Sequence, residues 1–136
     1  MKNLDLMILG ELRKDGRISN IELAKKLDVS EGSIRNHISA LLAGGIIKKF
    51  TIDIALKTDF RTITLLTTKS KVASKSVVTK LLKLKGIEKI FEVSGDFDIV
   101  IETRTQSPSD YNGLIEKIRG FKEIGSTESL VVFEAH

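Results

Sequence analysis

Two helix-start signals, Ser19 and Ser30, stand so close together that the chain between them has room for one short helix and a tight turn. Ser19 with Glu22 forms a capping box: the hydroxyl satisfies a free amide of the first turn and the carboxylate reaches back to the cap's own amide. Leu23, Ala24 and Leu27 recur behind it at helical spacing, and Asp28-Val29 interrupts the run. Ser30 then caps a further helix, with Glu31 near its positive end. Ile34, Ile38, Leu41 and Leu42 share one face of that helix, which leaves Gly32, Ser33, Asn36 and Ser39 on or near the other. A helix with a small, polar outward face, held at a steep angle by its predecessor, is what a helix-turn-helix inserts into the major groove of double-stranded DNA.

Two capped helices and a turn also occur in ordinary helical domains, so the surface chemistry has to decide. Arg35, Asn36 and His37 can donate to base edges or phosphates, and Gly32 lets the backbone come close to a phosphate. With Ser30 and Ser33 these make the candidate DNA-binding set on the helix. Upstream, Leu4, Ile8, Leu9 and Leu12 form the stripe of a first helix, expected to end at Asp15-Gly16 with the glycine left-handed. Downstream, Gly44-Gly45 stops the third helix, and the β-branched and aromatic run 46–52 predicts a strand. Lys48 and Lys49 on it could reach flanking phosphates as a small wing, or the segment could be a stiff connector. The expected division is a helix-turn-helix domain over 1–45, a linker strand within 46–60 and a second domain over 61–136.

The second half repeats one unit. Strands are predicted over 61–68, 87–94, 98–103 and 126–135, and helices over 72–84 and 109–120, the latter after the Ser107-Pro108 break. Strand-helix-strand twice over is the pattern of a ferredoxin-like βαββαβ domain, an antiparallel sheet with both helices on one face. The fold class is therefore α+β. Ile87, Lys89, Phe91 and Val93 alternate with Glu88, Ile90 and Glu92, and Leu130 and Val132 alternate with Val131 and Phe133, so apolar side chains point both ways. Helices cover one face, and the other calls for a second sheet, most simply that of an identical subunit. The expectation is an obligate homodimer.

Composition excludes several classes. The absence of cysteine removes disulfides and thiolate metal sites, and two histidines as far apart as His37 and His136 argue against zinc. No metal or cofactor is expected. No apolar run approaches the ~20 residues of a membrane span and no signal-peptide pattern opens the chain, so a cytoplasmic protein without membrane contact is expected. The net charge of +4 is uneven: residues 1–57 hold 10 Lys+Arg against 7 Asp+Glu, whereas residues 58–136 hold 12 against 11. The excess lies with the suspected DNA module. An aromatic content of 5% leaves a ferredoxin-like sheet poorly equipped to stack RNA bases.

The runs Arg17-Ile18-Ser19 ahead of Leu23-Ala24, 29–36 from Val29 to Asn36, Gly45-Ile46-Ile47-Lys48 and Val93-Ser94-Gly95-Asp96-Phe97-Asp98 resemble, over essentially the whole chain, the leucine-responsive and asparagine regulators of the Lrp/AsnC family. The resemblance implies a transcriptional regulator whose effector domains pair through their sheets, assemble to tetramers or octamers and respond to an amino acid. His37 stands where relatives commonly carry a second basic residue, and 53–57 lacks the proline often seen in the linker. Taken alone, Gly95-Asp96-Phe97-Asp98 reads as a hairpin turn, or as two carboxylates able to hold a magnesium ion, although no third oxygen ligand is evident nearby. Through the resemblance, Gly95 and Asp98 match the effector-loop pattern. Asp98 suits an α-ammonium group, amides around Gly95 suit an α-carboxylate, and Phe97 can wall the pocket. Thr127 and Ser129 in the last strand read either as polar contacts to a ligand shared between subunits or as a solvated edge. Two rival functions are an architectural DNA-binding protein without a ligand, and an enzyme similar to the siroheme decarboxylases. The second domain carries no histidine outside its terminus to act as acid or base, so no catalytic residue is assigned.

Overall fold

The computed structural model describes residues 2–136, with the side chains of residues 71 and 72 outside the description. The chain divides into two compact units, 1–54 and 55–136. Among the described residues no helix is long and apolar enough to cross a membrane.

The first unit contains α1 (Asn3–Lys14), α2 (Asn20–Leu27) and α3 (Glu31–Ala43). The capping box forms, with Ser19 Oγ accepting from the Glu22 amide at 3.1 Å and Glu22 Oε2 accepting from the Ser19 amide at 3.1 Å. Ser30 Oγ accepts from the Ser33 amide at 3.1 Å and so fixes the start of α3. Between the helices Asp28 adopts a left-handed conformation, φ 53°, which Asp tolerates better than most side chains, and the Val29 amide bonds back to the Ala24 carbonyl at 3.0 Å. Ile8, Leu23, Ala24 and Ile34 make the buried core, ringed by Leu4, Leu12, Ile18, Leu27, Val29 and Ile38.

Two local expectations fail in this unit. Gly16 is not left-handed. The turn after α1 is made by Asp15 instead, whose carboxylate accepts from the Arg17 amide at 2.9 Å and whose carbonyl accepts from the Ile18 amide at 3.3 Å. Nor is there a strand within 46–52. α3 ends in a Schellman motif: Gly45, φ +70°, donates to the Leu42 carbonyl, and Ile46 donates to the Leu41 carbonyl, each at 3.0 Å. Ile47 also bonds Leu41, so the start of the run completes the helix end. The rest finds no partner strand among the described residues, and a strand needs one to satisfy its backbone.

The second unit contains β1 (Phe60–Thr68), α4 (Lys71–Leu81), β2 (Ile87–Glu92), β3 (Ile99–Thr105), α5 (Pro108–Arg119) and β4 (Ile124–Val131). The strands form one antiparallel sheet in the order β2-β3-β1-β4. This is the ferredoxin-like arrangement, and with the helical first unit it makes the expected α+β class. α4 stops at Leu81 rather than at 84, in a tightened turn where the Leu84 amide bonds the Leu81 carbonyl. β4 stops at Val131 rather than at 135 because its neighbour β1 starts at Phe60. Val131 already faces Thr62, and Val132 makes one more bond to Arg61.

Thr62, Thr64 and Leu66 of β1 and Ile99, Ile101 and Thr103 of β3 are buried on the helix-covered face. Val77 and Leu81 of α4, and Tyr111, Leu114, Ile115 and Ile118 of α5, close over them. The buried threonines are satisfied within the layer. Thr62 bonds Thr103, Thr64 bonds the Tyr111 hydroxyl at 2.7 Å, and Tyr111 bonds Ser129. In β2 the simple alternation fails: the register shifts between Ile87 and Lys89, so Ile87 and Ile90 both pack on the helix side. Phe91, opposite Val100, and Leu130, opposite Ile63, lie on the other face, 44% and 48% exposed, with the half-buried Ile63, Leu65 and Val100.

Candidate functional site

α3 offers one solvent-facing strip. Gly32, Arg35, Asn36 and Ser39 are exposed along it, Ser33 is half-exposed, and Ile34 and Leu41 are buried beneath. Among the described residues no atom beyond its own turn of helix stands within 4 Å of where a Gly32 side chain would begin, so a phosphate can approach that backbone. Ser30 serves mainly the helix, because its hydroxyl is engaged by the Ser33 amide. Arg35 is not a free donor. One of its terminal nitrogens lies 2.6 and 2.5 Å from the two carboxylate oxygens of Glu31, a full helical turn before it. The sequence reading missed this pair, although its i,i+4 spacing is a visible signal. The pair is exposed, so it orients the guanidinium without contributing much stability. Ser39, one turn after Arg35 and Asn36, continues the strip and was not singled out as a contact. Lys48 and Lys49 are exposed just past the helix end and free of ion pairs among the described residues.

His37 corrects the expectation. It points inward, away from the strip, with its Nδ1 2.6 Å from Asp5 Oδ1 of α1 and only 19% and 14% of the two side chains exposed. A helix turns by about 100° per residue, and that single step from Asn36 carries position 37 to the side that meets α1. The other Asp5 oxygen accepts from the Lys2 amide at 2.9 Å, so one carboxylate both caps α1 and ties α3 to it. The His37 hydrogen bond, with the Lys2 amide second, holds the Asp5 carboxyl below the usual range. A second tie joins α1 to α2. Glu11 accepts from Lys14 at 2.7 Å and from Lys26 at 2.9 Å, which pull its carboxyl down to about 2.

In the second unit, 95–98 forms the turn between β2 and β3. Gly95 takes φ +132°, a conformation open in practice to glycine alone, and the Val93 amide closes the turn on the Asp98 carbonyl at 3.0 Å. Gly95 and Asp96 are exposed, while Phe97 and Asp98 are half-buried. Asp98 is already at work in the fold. Its Oδ2 accepts from the Thr68 amide at 2.7 Å and from the Thr68 hydroxyl at 3.2 Å, and its amide donates to the Leu66 carbonyl at 2.9 Å. The turn is thereby laced to the end of β1. Thr127 and Ser129 do not join it. They face Leu66 and Thr64 across the β1–β4 ladder and so lie on the helix-side face, where Arg119 Nε donates to Thr127 Oγ1 at 3.0 Å and Tyr111 engages Ser129. The signal for this was long-range register, which a period-two pattern alone does not supply.

Residues 1–48 match a winged helix-turn-helix DNA-binding family, and residues 61–136 match the Lrp/AsnC ligand binding domain. The chain is similar to the HTH-type transcriptional regulator LysM of Sulfurisphaera tokodaii, 36% identical over 128 residues that cover 94% of this chain and 91% of the relative. Among solved structures, AsnC of E. coli superposes with a TM-score of 0.78 at 30% identity, covering 99% of this chain and 93% of that one. A transcriptional regulator of Neisseria meningitidis, solved as a complex with L-Met, shares the fold at a TM-score of 0.81 and 16% identity, covering 98% and 90%. The outward strip of α3, the βαββαβ unit and these matches along nearly the whole length lead to one assignment: the chain belongs to the Lrp/AsnC family of helix-turn-helix, DNA-binding transcriptional regulators.

Proposed function

We propose that the protein works in the cytoplasm as a homodimer on an imperfectly palindromic DNA site, and that an amino acid held at the 95–98 turn modulates it. The observation that carries the DNA half is the outward strip of α3, with Arg35 and Asn36 directed to solvent between Gly32 and Ser39. Arg35 and Asn36 read base edges, and Lys48 and Lys49 contact flanking phosphates. The half-exposed patch of Phe91 and Leu130 supports the pairing of two sheets, since among the described residues both helices of the second unit lie on the opposite face. Two-fold symmetry of the dimer then sets the symmetry of the DNA site, and dimers assemble further to a tetramer or octamer.

For the effector, exposed amides around Gly95 receive the α-carboxylate. The Asp98 oxygen not spent on Thr68, with the exposed Asp96 beside it, receives the ammonium. The Neisseria relative's complex with L-Met supports this ligand class. Such a ligand acts by its differential affinity for two states of the assembly, typically about 1 to 3 kcal/mol of coupling.

Gel-shift titrations over a salt series, with and without each of the twenty amino acids, test the proposal. Arg35→Ala is expected to lower discrimination between operator and mismatched sites by about 1 to 3 kcal/mol. Lys48→Ala with Lys49→Ala should weaken all sequences alike and flatten the salt dependence. One amino acid should shift the wild-type curve and fail to shift that of Asp96→Asn/Asp98→Asn. Unchanged preference in Arg35→Ala, or a response surviving the double change, overturns the corresponding residue assignment. A stable monomer at micromolar concentration in sedimentation overturns the dimer.

A further inference from the structure

A groove of about 790 Å³ opens on the second unit where the chain leaves α4, and Lys83, Lys85 and Lys117 line it. None of the three ammonium groups has an ion-pair partner among the described residues. This is not for want of acceptors in the unit, because Lys80 pairs with Glu123 at 2.8 Å and Lys89 with Glu102 at 3.5 Å. Arg104, at the groove wall, is committed elsewhere, with Nη1 2.6 Å from Asp59 and Nε 2.7 Å from Glu88. Asp110 is the one carboxylate on the lining, facing three uncompensated cations. Like charges gathered in a concavity with low-dielectric walls focus a positive potential into it.

The floor is different in character. Leu84 and the buried Leu114 supply apolar surface, and Gly113, inside α5, bares the helix backbone to the groove. A glycine within a helix weakens it relative to alanine, yet among the described residues no atom beyond its own turn of helix stands within 4 Å of where a Gly113 side chain would begin, so packing among them does not require it. An apolar stretch beside three ammonium groups suits a ligand that is anionic at one end and carries a weakly polar, planar face at the other.

We propose that this groove binds a phosphate-bearing small molecule of nucleotide size, at a site separate from the 95–98 turn. The lysines take phosphoryl oxygens in charge-assisted hydrogen bonds, and the ligand's flat portion lies on Leu84, Leu114 and the Gly113 backbone. The volume falls in the range of small-molecule sites, roughly 300 to 1,000 Å³.

Calorimetry on the full chain at fixed salt, with ATP and inorganic tripolyphosphate as separate probes, tests this. The variants are Lys83→Ala/Lys85→Ala/Lys117→Ala and Gly113→Gln, both surface changes compatible with the helices. Wild type should bind at one site per chain, and the triple variant should lose at least tenfold in affinity. Tighter binding of ATP, with a further loss in Gly113→Gln, identifies the ligand as an organic phosphate; equal or tighter tripolyphosphate binding, indifferent to Gly113→Gln, identifies it as inorganic polyphosphate. Absence of binding by both probes, or equal binding by wild type and the triple variant, overturns the site. Loss of affinity for duplex DNA in the triple variant, without phosphate binding in wild type, makes these lysines a DNA-contacting face and overturns it as well.

Discussion

The two units are held together in different ways. The first has a core of four buried apolar residues and relies on a few discrete connections around its helices: the Ser19 and Ser30 caps, the Glu11 bridge to Lys26 and the Asp5–His37 tie. The second buries ten apolar residues between sheet and helices and threads a hydroxyl network through them. In the first, much of the structural information lies within a few residues along the chain. In the second it lies in pairings such as Thr62 with Thr103, far apart in sequence. A module that must offer one helix to DNA is positioned by a few local ties, whereas a sheet that presents an open face is positioned by its bulk.

That contrast can be broken most sharply by equal truncations in the two cores. Leu23→Ala and Ile101→Ala each remove a fully buried side chain and should cost about 2 to 5 kcal/mol. Leu23→Ala draws that cost from the smaller core, so it should abolish DNA binding while hydrogen-exchange protection across β1 and β3 persists. Ile101→Ala should expose the sheet amides and leave α3 protected. If both variants lose protection everywhere, the division of labour between the units is wrong. Next in size is Tyr111→Phe, which leaves the Thr64 hydroxyl only its long 3.5 Å contact to Thr62 in the core, at a cost of about 1 to 3 kcal/mol. Denaturant melts of Tyr111→Phe should show it, and a neutral outcome would mean that the hydroxyl network is incidental to the larger core.

The smallest effect is a pH dependence in the first unit. Glu11 is held at about 2 in the folded protein against an ordinary value of 4.5, so the folded state binds the proton less readily than the unfolded chain. Its contribution is present in full above 4.5 and is lost as the pH falls toward 2. Acid titration followed by backbone amide shifts should show α1 and α2 separating in that window, and Glu11→Gln should remove that part of the dependence. Equal acid sensitivity in Glu11→Gln would show that other carboxylates govern it.

The same contrast explains what was legible in the sequence. The capping box at Ser19, the cap at Ser30 and the glycine end of α3 are local, so spacing alone located them. The strand-helix-strand repeat was legible because each element is longer than the uncertainty in its ends. The misplaced residues were those whose surroundings come from elsewhere in the chain. His37 is one helical step from Asn36, and only the position of α1 makes that step decisive. Ile87 and Ile90 share a face because of a register shift against β3. Thr127 and Ser129 turn toward α5 because of their register against β1. The structural bond of Asp98 to Thr68 was not legible either, because it crosses between strands.

The Asp5 carboxylate has a genetic consequence. It lies on the first helix, yet through His37 it fixes the roll of α3, the helix proposed to face the bases. A screen for variants that have lost their operator should therefore yield substitutions at Asp5 alongside those at Arg35. Taken by position, such mutants would look like folding defects of the amino-terminal helix, but their phenotype would be one of misreading.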